Sequence, residues 1–266
     1  MLYYPQLSTG VVSQLPVSRR TTLRTITNTL PSGDNIRMSD PGSAAIAWQL
    51  QYSNLTDAEF LSLETLFQAT EGKLTTFTFL DPMDNLLNWS EDWTNAVWAA
   101  DPLMQVSAGI ADPLGGTGAV QLTNTAQTTQ RIVQSIAGPS WFQYCCSIYV
   151  RSNAPSAIQI LFSATGQESL TQVQTGSSWT RAIMAGSLSL QESGISFGLQ
   201  LPAGASIVAF GAQAEPQPAA GYYKKTTNQA GVYPNTRFDS DSLTQTTSAP
   251  DQNSCSVSLL SNLAEG

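Results

Sequence analysis

The sequence predicts a mainly β protein: an α+β N-terminal part with one helix, forming a split β-sandwich or barrel, interrupted by an antiparallel jelly-roll sandwich. Three observations lead there. Residues 44–52, AAIAWQLQY, alternate so that Ile46, Trp48, Leu50 and Tyr52 share one face of a half-buried strand. Residues 54–72, NLTDAEFLSLETLFQATEG, carry the only convincing helical stripe. From about 88 to 228 no such stripe recurs, and short β-prone runs alternate with Gly, Pro, Ser and Asn turns.

Taken in order, residues 20–30, RTTLRTITNTL, are rich in Thr and branched side chains and read as a strand. In the helix, Thr56 is placed as N-cap, with Glu59 at capping-box spacing. Phe60, Leu63, Leu66 and Phe67 form the apolar stripe, and Gly72 supplies a left-handed stop. KLTTFTFL returns as a strand, with Phe77 and Phe79 alternating against Thr76 and Thr78. After Asp81-Pro82 come VQLTN, RIVQSI, WFQYCCSIYVRS, AIQILFSAT, WTRAIMAG, ISFGLQL and SIVAFGAQ, spaced as in a sandwich or jelly roll. The closing segment is again Thr-rich and holds two more strand-like stretches. A strand from each end pairing in one sheet would make the sandwich an insertion: 1–87 and 229–266 form one domain, and 88–228 the other.

Composition narrows function. Charged residues are 11% of the chain, less than half of the roughly 25% usual for a soluble domain. The surface is therefore rich in Ser, Thr, Gln and Asn, which suits a protein covered by neighbours in an assembly. Net charge is −8, and the longest basic clusters are Arg19-Arg20 and Lys224-Lys225, so a phosphate-gripping nucleic-acid site is excluded. Residues 88–228 hold five basic and seven acidic residues, the remainder six and twelve. The negative charge is thus concentrated outside the sandwich. With no histidine, Ser-His and Cys-His nucleophile pairs are ruled out. Cys145, Cys146 and Cys255 show no CxxC spacing and read as reduced structural thiols. MLYYPQLSTG lacks the pattern of a signal peptide, and no run approaches ~18 apolar residues, so no membrane partner is expected. Nothing calls for a metal, a cofactor or a catalytic residue.

Candidate sites are few. Asp81, Asp84, Glu91 and Asp92 could form a calcium cage or an acid/base pair, but their contexts favour turns and caps. Trp141 and Trp179 lead strands and read as core, while Trp93, Tyr222 and Tyr223 are the better candidates for stacking on a sugar. PLGGTG, residues 113–118, is a turn rather than a phosphate loop, since no Lys-Ser/Thr follows. Asp239 and Asp241 alternate as on one strand face, a candidate acidic lumen or ordinary solvent face.

Two family resemblances rest on these residues. YSNLTDAEFLSLETLFQATEGKLTTFTFLDP resembles the helix-and-strand module of phage and gene-transfer-agent distal tail proteins. TRFDSDSL, residues 236–243, resembles that family's late strand motif through Arg237, Phe238, Asp239, Asp241 and Leu243. NLLNWSEDWTNAVW, WFQYCCSIYVRS, SSWTRAI and FGAQAEPQPAAGYYKKT resemble, in that order, the carbohydrate-binding-like jelly rolls attached to phage tail and fibre proteins. The first resemblance implies a virion protein, assembled in the host bacterial cytoplasm, that forms a ring, by family analogy a hexamer. That ring would join the tail tube protein to the baseplate hub or tail-tip protein, and DNA would pass an acidic lumen without binding specifically. The second implies an inserted domain that braces neighbours or touches a host-surface glycan. The alternative is a receptor-binding or tail-fibre protein whose jelly roll binds host polysaccharide. A polysaccharide-degrading tail enzyme is disfavoured.

Overall fold

A computed structural model describes residues 1–263; residues 264–266 of the expected closing segment 229–266 lie outside the described residues. The elements in chain order are β1 (Val17–Thr29), β2 (Asn35–Leu55), α1 (Asp57–Ala69), β3 (Phe77–Leu80), β4 (Trp98–Ala100), β5 (Met104–Ile110), β6 (Ala119–Asn124) and β7 (Gln130–Ala137). There follow β8 (Tyr144–Arg151), β9 (Ser156–Ala164), β10 (Gln167–Thr175), β11 (Thr180–Gly186), β12 (Gly194–Leu201), β13 (Ser206–Glu215), β14 (Val232–Phe238), β15 (Thr246–Ala249) and β16 (Gln252–Asn262). The chain forms two compact units: Met1–Phe79 with Tyr233 onward, and Leu80–Val232. Among the described residues the fold is mainly β, with one α-helix and antiparallel sheets.

The first unit is a sheet in the order β1-β2-β16-β14-β3, with β15 on β16. β2 and β16 pair antiparallel across some two hundred residues of sequence, placing Trp48 beside Leu259 and Leu50 beside Val257. The alternation of 46–52 is realised: Ile46, Trp48, Leu50 and Tyr52 are buried. Trp48 meets Phe79 at 5.0 Å and Tyr233 at 4.8 Å, both edge-on, the geometry that aromatic quadrupoles favour. α1 buries Phe60, Leu63 and Leu66 into the same core. Its capping box forms as expected: the Thr56 hydroxyl accepts from the Glu59 amide at 3.2 Å, and Glu59 accepts from the Thr56 amide at 2.9 Å. The other Glu59 oxygen accepts from the amide and hydroxyl of Ser8 at 2.9 and 2.6 Å. Gly72 is left-handed, φ +64°, and the Asp241 carboxylate lies against the same turn. One expectation is corrected. Thr78 is as buried as Phe77 and Phe79, because β3 is covered on both faces. The N-terminal segment carries core residues, with Tyr4 buried and its hydroxyl 2.9 Å from that of Tyr52.

Beyond the core, β1 and β2 continue as a two-stranded arm. Between Arg24 and Asp40 they pair with each other, whereas β16 pairs with β2 only from Ala45 to Leu55. The arm is exposed on both faces, and Leu23 is 76% exposed.

The second unit is a sandwich of two five-stranded sheets, ordered β10-β9-β12-β7-β4 and β11-β8-β13-β6-β5. Tyr144 of β8 bridges them, 5.6 Å from Phe162 of β9 and 5.5 Å from Phe197 of β12. Ile132, Ile148, Val150, Ile160, Leu199 and Ile207 fill the rest of the interior. The seven runs noted in the sequence became β6, β7, β8, β9, β11, β12 and β13. β5 and β10 escaped notice because they are polar edge strands, where one buried face is not demanded.

Candidate functional site

β8 alternates between the two faces of its sheet. Cys146, Ile148 and Val150 point into the sandwich, so Cys145, Ser147, Tyr149 and Arg151 point outward. Strand register then builds rows across the outer face. The outermost row is Arg151, Val208, Gln121 and Ser107, from β8 through β13 and β6 to β5. Behind it come Arg181, Tyr149 and Phe210, then Ile183, Ser147 and Gln213, then Ala185, Cys145 and Glu215. A bulge at Gly211, φ +62°, brings the backbone against the Tyr223 ring, where a Cβ would stand 2.9 Å from a ring carbon.

Segment 216–226 folds over the inner rows. Tyr223 packs on Phe210 at 5.4 Å and on Tyr149 at 6.3 Å. Its hydroxyl lies 2.9 Å from the Ser90 hydroxyl and donates to Glu91 at 3.1 Å. Burial, reinforced by the Glu91 charge, pushes that phenol well above its ordinary range, although the Ser90 bond opposes the shift. Arg181 donates to the Gly221 carbonyl at 2.7 Å and the Ser147 hydroxyl at 2.9 Å, and its guanidinium lies 5.5 Å over the Tyr149 ring. Glu215, fully buried, accepts from the Gly221 amide at 2.8 Å and faces Lys224 at 3.5 Å. Burial pushes the neighbouring Cys145 thiol up to about 11, Glu215 adding to the shift and Arg181 opposing it.

Segment 216–226 does not bond to the outermost row, in which Val208 is buried, Arg151 and Gln121 are half-buried and Ser107 is exposed. Arg151 lies 5.1 Å over the half-buried Trp179 ring. Beyond it, a groove of about 360 Å³ is lined by residues 152–156 and 202–208 and by Gln121. Gln121 and Thr123 each meet the Ser206 hydroxyl at 2.7 Å. The face thus combines hydroxyls, amides, a guanidinium and aromatic rings, the groups that hydrogen-bond and stack on polar ligands.

The residues proposed from sequence fall as follows. Trp93 is a correction: it is 2% exposed, stacked on Trp98 at 4.5 Å, with its indole N–H donating to Ser90, so it has no face free for a sugar. Tyr222 is 93% exposed on segment 216–226. Tyr223 is half-buried and anchors that segment. Trp141 is exposed, contrary to expectation, because Phe142 takes the interior place; Trp179 is only half-buried, because it lies on the outer face. Asp239 and Asp241 follow β14 rather than alternating on it. Both are exposed, and Asp241 pairs with Lys73 at 3.1 Å. Asp81, Asp84 and Asp92 accept from backbone amides one or two residues on, while Glu91 pairs with Lys225 at 2.5 Å. Among the described residues no cluster of three or more His, Cys, Asp or Glu could hold a metal. Asp112 explains the PLGGTG turn: its carboxylate gathers the amides of Leu114, Gly116 and Gly118. No helix among the described residues is long and apolar enough to cross a membrane.

Tyr149, Arg151, Arg181 and Gln121 were missed. The available signal was the alternation within YCCSIYVR, whose polar members on one face include an Arg and a Tyr.

No protein-family model matches the chain, and no curated protein does. Solved structures similar to it include the CBM22-1 xylan-binding domain of Paenibacillus barcinonensis Xyn10C, 19% identical, covering 52% of this chain and 97% of that one, TM-score 0.42. The C-terminal family 22 carbohydrate-binding module of Clostridium thermocellum Xyn10B is 9% identical, covering 53% of this chain and 99% of that one, TM-score 0.42. The enzymatically active domain of bacteriophage CBA120 tailspike protein 4 is 12% identical over 52% of this chain and 22% of its own, TM-score 0.38.

Proposed function

We propose that the chain is a structural, non-catalytic virion protein that forms a ring at the distal end of a phage tail tube and joins it to the baseplate hub or tail tip. In this reading the second unit contacts host-surface glycan. The observation that carries it is the β1–β2 arm. A two-stranded ribbon exposed on both faces is marginal in water, and its unpaired edges invite pairing with another chain. Six residues from Arg24 to Thr29 at about 3.3 Å each carry it roughly 20 Å past the core. Charge supports a second copy as the occupant. Residues 17–45 hold Arg19, Arg20, Arg24 and Arg37 against Asp34 and Asp40, net +2. The rest of the first unit holds Lys73 and Arg237 against eight acidic residues, net −6. The arm proper, residues 24–40, is neutral overall, with Arg24 paired to Asp40, and the basic excess lies on Arg19 and Arg20 at its base. Such a basic edge meeting an acidic body makes a head-to-tail contact, which closes into a ring when the rotation allows. The resemblance of 52–82 and 236–243 to distal tail proteins supports the same reading.

Negative-stain imaging and light scattering of the whole chain test it. Wild type should give closed rings, and a chain whose residues 24–40 are replaced by a two-residue turn should be monomeric. Wild-type monomers, or trimers only, would overturn it. Trimers would favour the second reading, a receptor-binding or tail-fibre protein, which the polar rows on the second unit also favour.

A further inference from the structure

We infer that the outermost row of the β8 face binds an anionic glycan, through a carboxylate or phosphate group held by Arg151. The inference rests on the glycan-contact part of the reading above and adds the chemistry of the ligand. The second unit has five cations, and three are paired: Arg131 with Glu168, Lys224 with Glu215, and Lys225 with Glu91. Arg151 and Arg181 have no carboxylate within ion-pair distance among the described residues. They are diagonal neighbours, since Arg181 pairs with Tyr149, two residues before Arg151; such Cβ atoms stand about 7–8 Å apart. Each lies over an aromatic ring, and each has a buried Nε–H with no acceptor.

The two differ in what remains available. Arg181 spends its terminal N–H groups on Gly221 and Ser147. The Arg151 side chain makes no hydrogen bond among the described residues, so its terminal N–H groups are free for a ligand, and Trp179 fixes the plane in which they are presented. A guanidinium so fixed matches the two oxygens of a carboxylate or phosphate.

The carboxylates of this region do not compete. Glu91 is held by Lys225 and Tyr223, Glu215 is covered with Gly221 and Lys224, and Asp112 is ringed by its own loop's amides. Along the row itself, Val208, Gln121 and Ser107 carry no charge, and Gln121 with the Thr123 and Ser206 hydroxyls supplies partners for sugar hydroxyls. A protein of net −8 repels a polyanion at long range, so an unpaired, ring-supported arginine on a carboxylate-free row gives the attraction a specific place.

Affinity electrophoresis and titration calorimetry of the whole chain test this against polygalacturonate for carboxylate, a glycerol-phosphate teichoic acid for phosphate, and xylan as a neutral polymer. Wild type should bind one or both anionic polymers more tightly than xylan, and weaken with added salt. Arg151→Gln should lose roughly ten- to a hundredfold in affinity, and Arg151→Lys should recover part of it. Gln172→Ala, exposed on edge strand β10 of the other sheet, should change little. Equal near-ultraviolet circular dichroism of the variants will separate binding loss from misfolding. Binding to xylan alone, or anion binding that Arg151→Gln leaves unchanged, overturns the inference and leaves the glycan reading standing. Binding to none of the three overturns both.

Discussion

Gly198 sits in the middle of β12, paired with Val133 of β7 on one side and Leu161 of β9 on the other. A Cβ built there would stand 2.0 Å from the Ile132 carbonyl oxygen and 2.8 Å from the Val133 Cα. Both are backbone atoms, so no side-chain rotation relieves the clash. Restoring even 3.0 Å requires β7 and β12 to part locally by 1.0 Å. Ladder bonds of about 2.9 Å would stretch to about 3.9 Å, past useful length. Losing two such bonds at about 1 kcal/mol each, with 1–3 kcal/mol of overpacking strain, makes Gly198→Ala cost about 3–5 kcal/mol. The second unit spans Leu80–Val232, 153 residues. At about 2.1 cal/mol/K per residue its unfolding entropy is about 0.32 kcal/mol/K, so Tm should fall by about 9–16 °C. Calorimetry reads the shift, and amide hydrogen exchange should show lost protection in β7 and β12 first. Gly186→Ala is the internal control, since nothing lies within 4 Å of its Cβ; it should stay within about 0.5 kcal/mol. If the two variants prove equally stable, the close approach does not constrain the sheet as argued.

Two further substitutions probe polar groups that each make several contacts. Asn85 is fully buried; its amide donates to the carbonyls of Ala212 and Lys224, and its oxygen accepts from the amides of Leu87 and Ala214. Asn85→Ala should cost about 3–4 kcal/mol in urea titration, because it leaves buried backbone groups unpaired; a loss below 1 kcal/mol would show that water replaces the side chain. Glu59→Gln should cost about 1 kcal/mol at pH 7, since an amide offers one acceptor oxygen where Ser8 and Thr56 require two. Partial burial raises the Glu59 pKa, but the bonds from Ser8 and Thr56 outweigh it and hold the carboxyl below its usual range. Its contribution is therefore present above the unfolded-state pKa of about 4.3 and is lost as pH falls through the lower folded value. The gap between wild type and Glu59→Gln should shrink as pH falls below the unfolded-state pKa and close once the folded carboxyl is protonated, and a gap that does not change across the acid range would refute the assignment.

The sequence by itself determined whatever depends on neighbours a few residues away. The Thr56–Glu59 box, the face shared by Ile46, Trp48, Leu50 and Tyr52, and the Asp112 turn follow from spacings of two to six residues. Local geometry fulfils such signals wherever the segment sits. Tertiary structure decided which aromatic rings are covered and which cations are paired. From the sequence Trp179 reads as core and Trp93 as a stacking candidate, yet Trp93 stacks inside on Trp98 and Trp179 carries Arg151 on the outer face. Alternation says that Tyr149 and Arg151 share a face but not what crosses it. Only the pairing of β8 with β11 and β13, with segment 216–226 lying over the inner rows, engages Arg181 and not Arg151. The physical reason is that a strand's partners come from distant sequence, and register, once set, assigns every side chain on both strands at once.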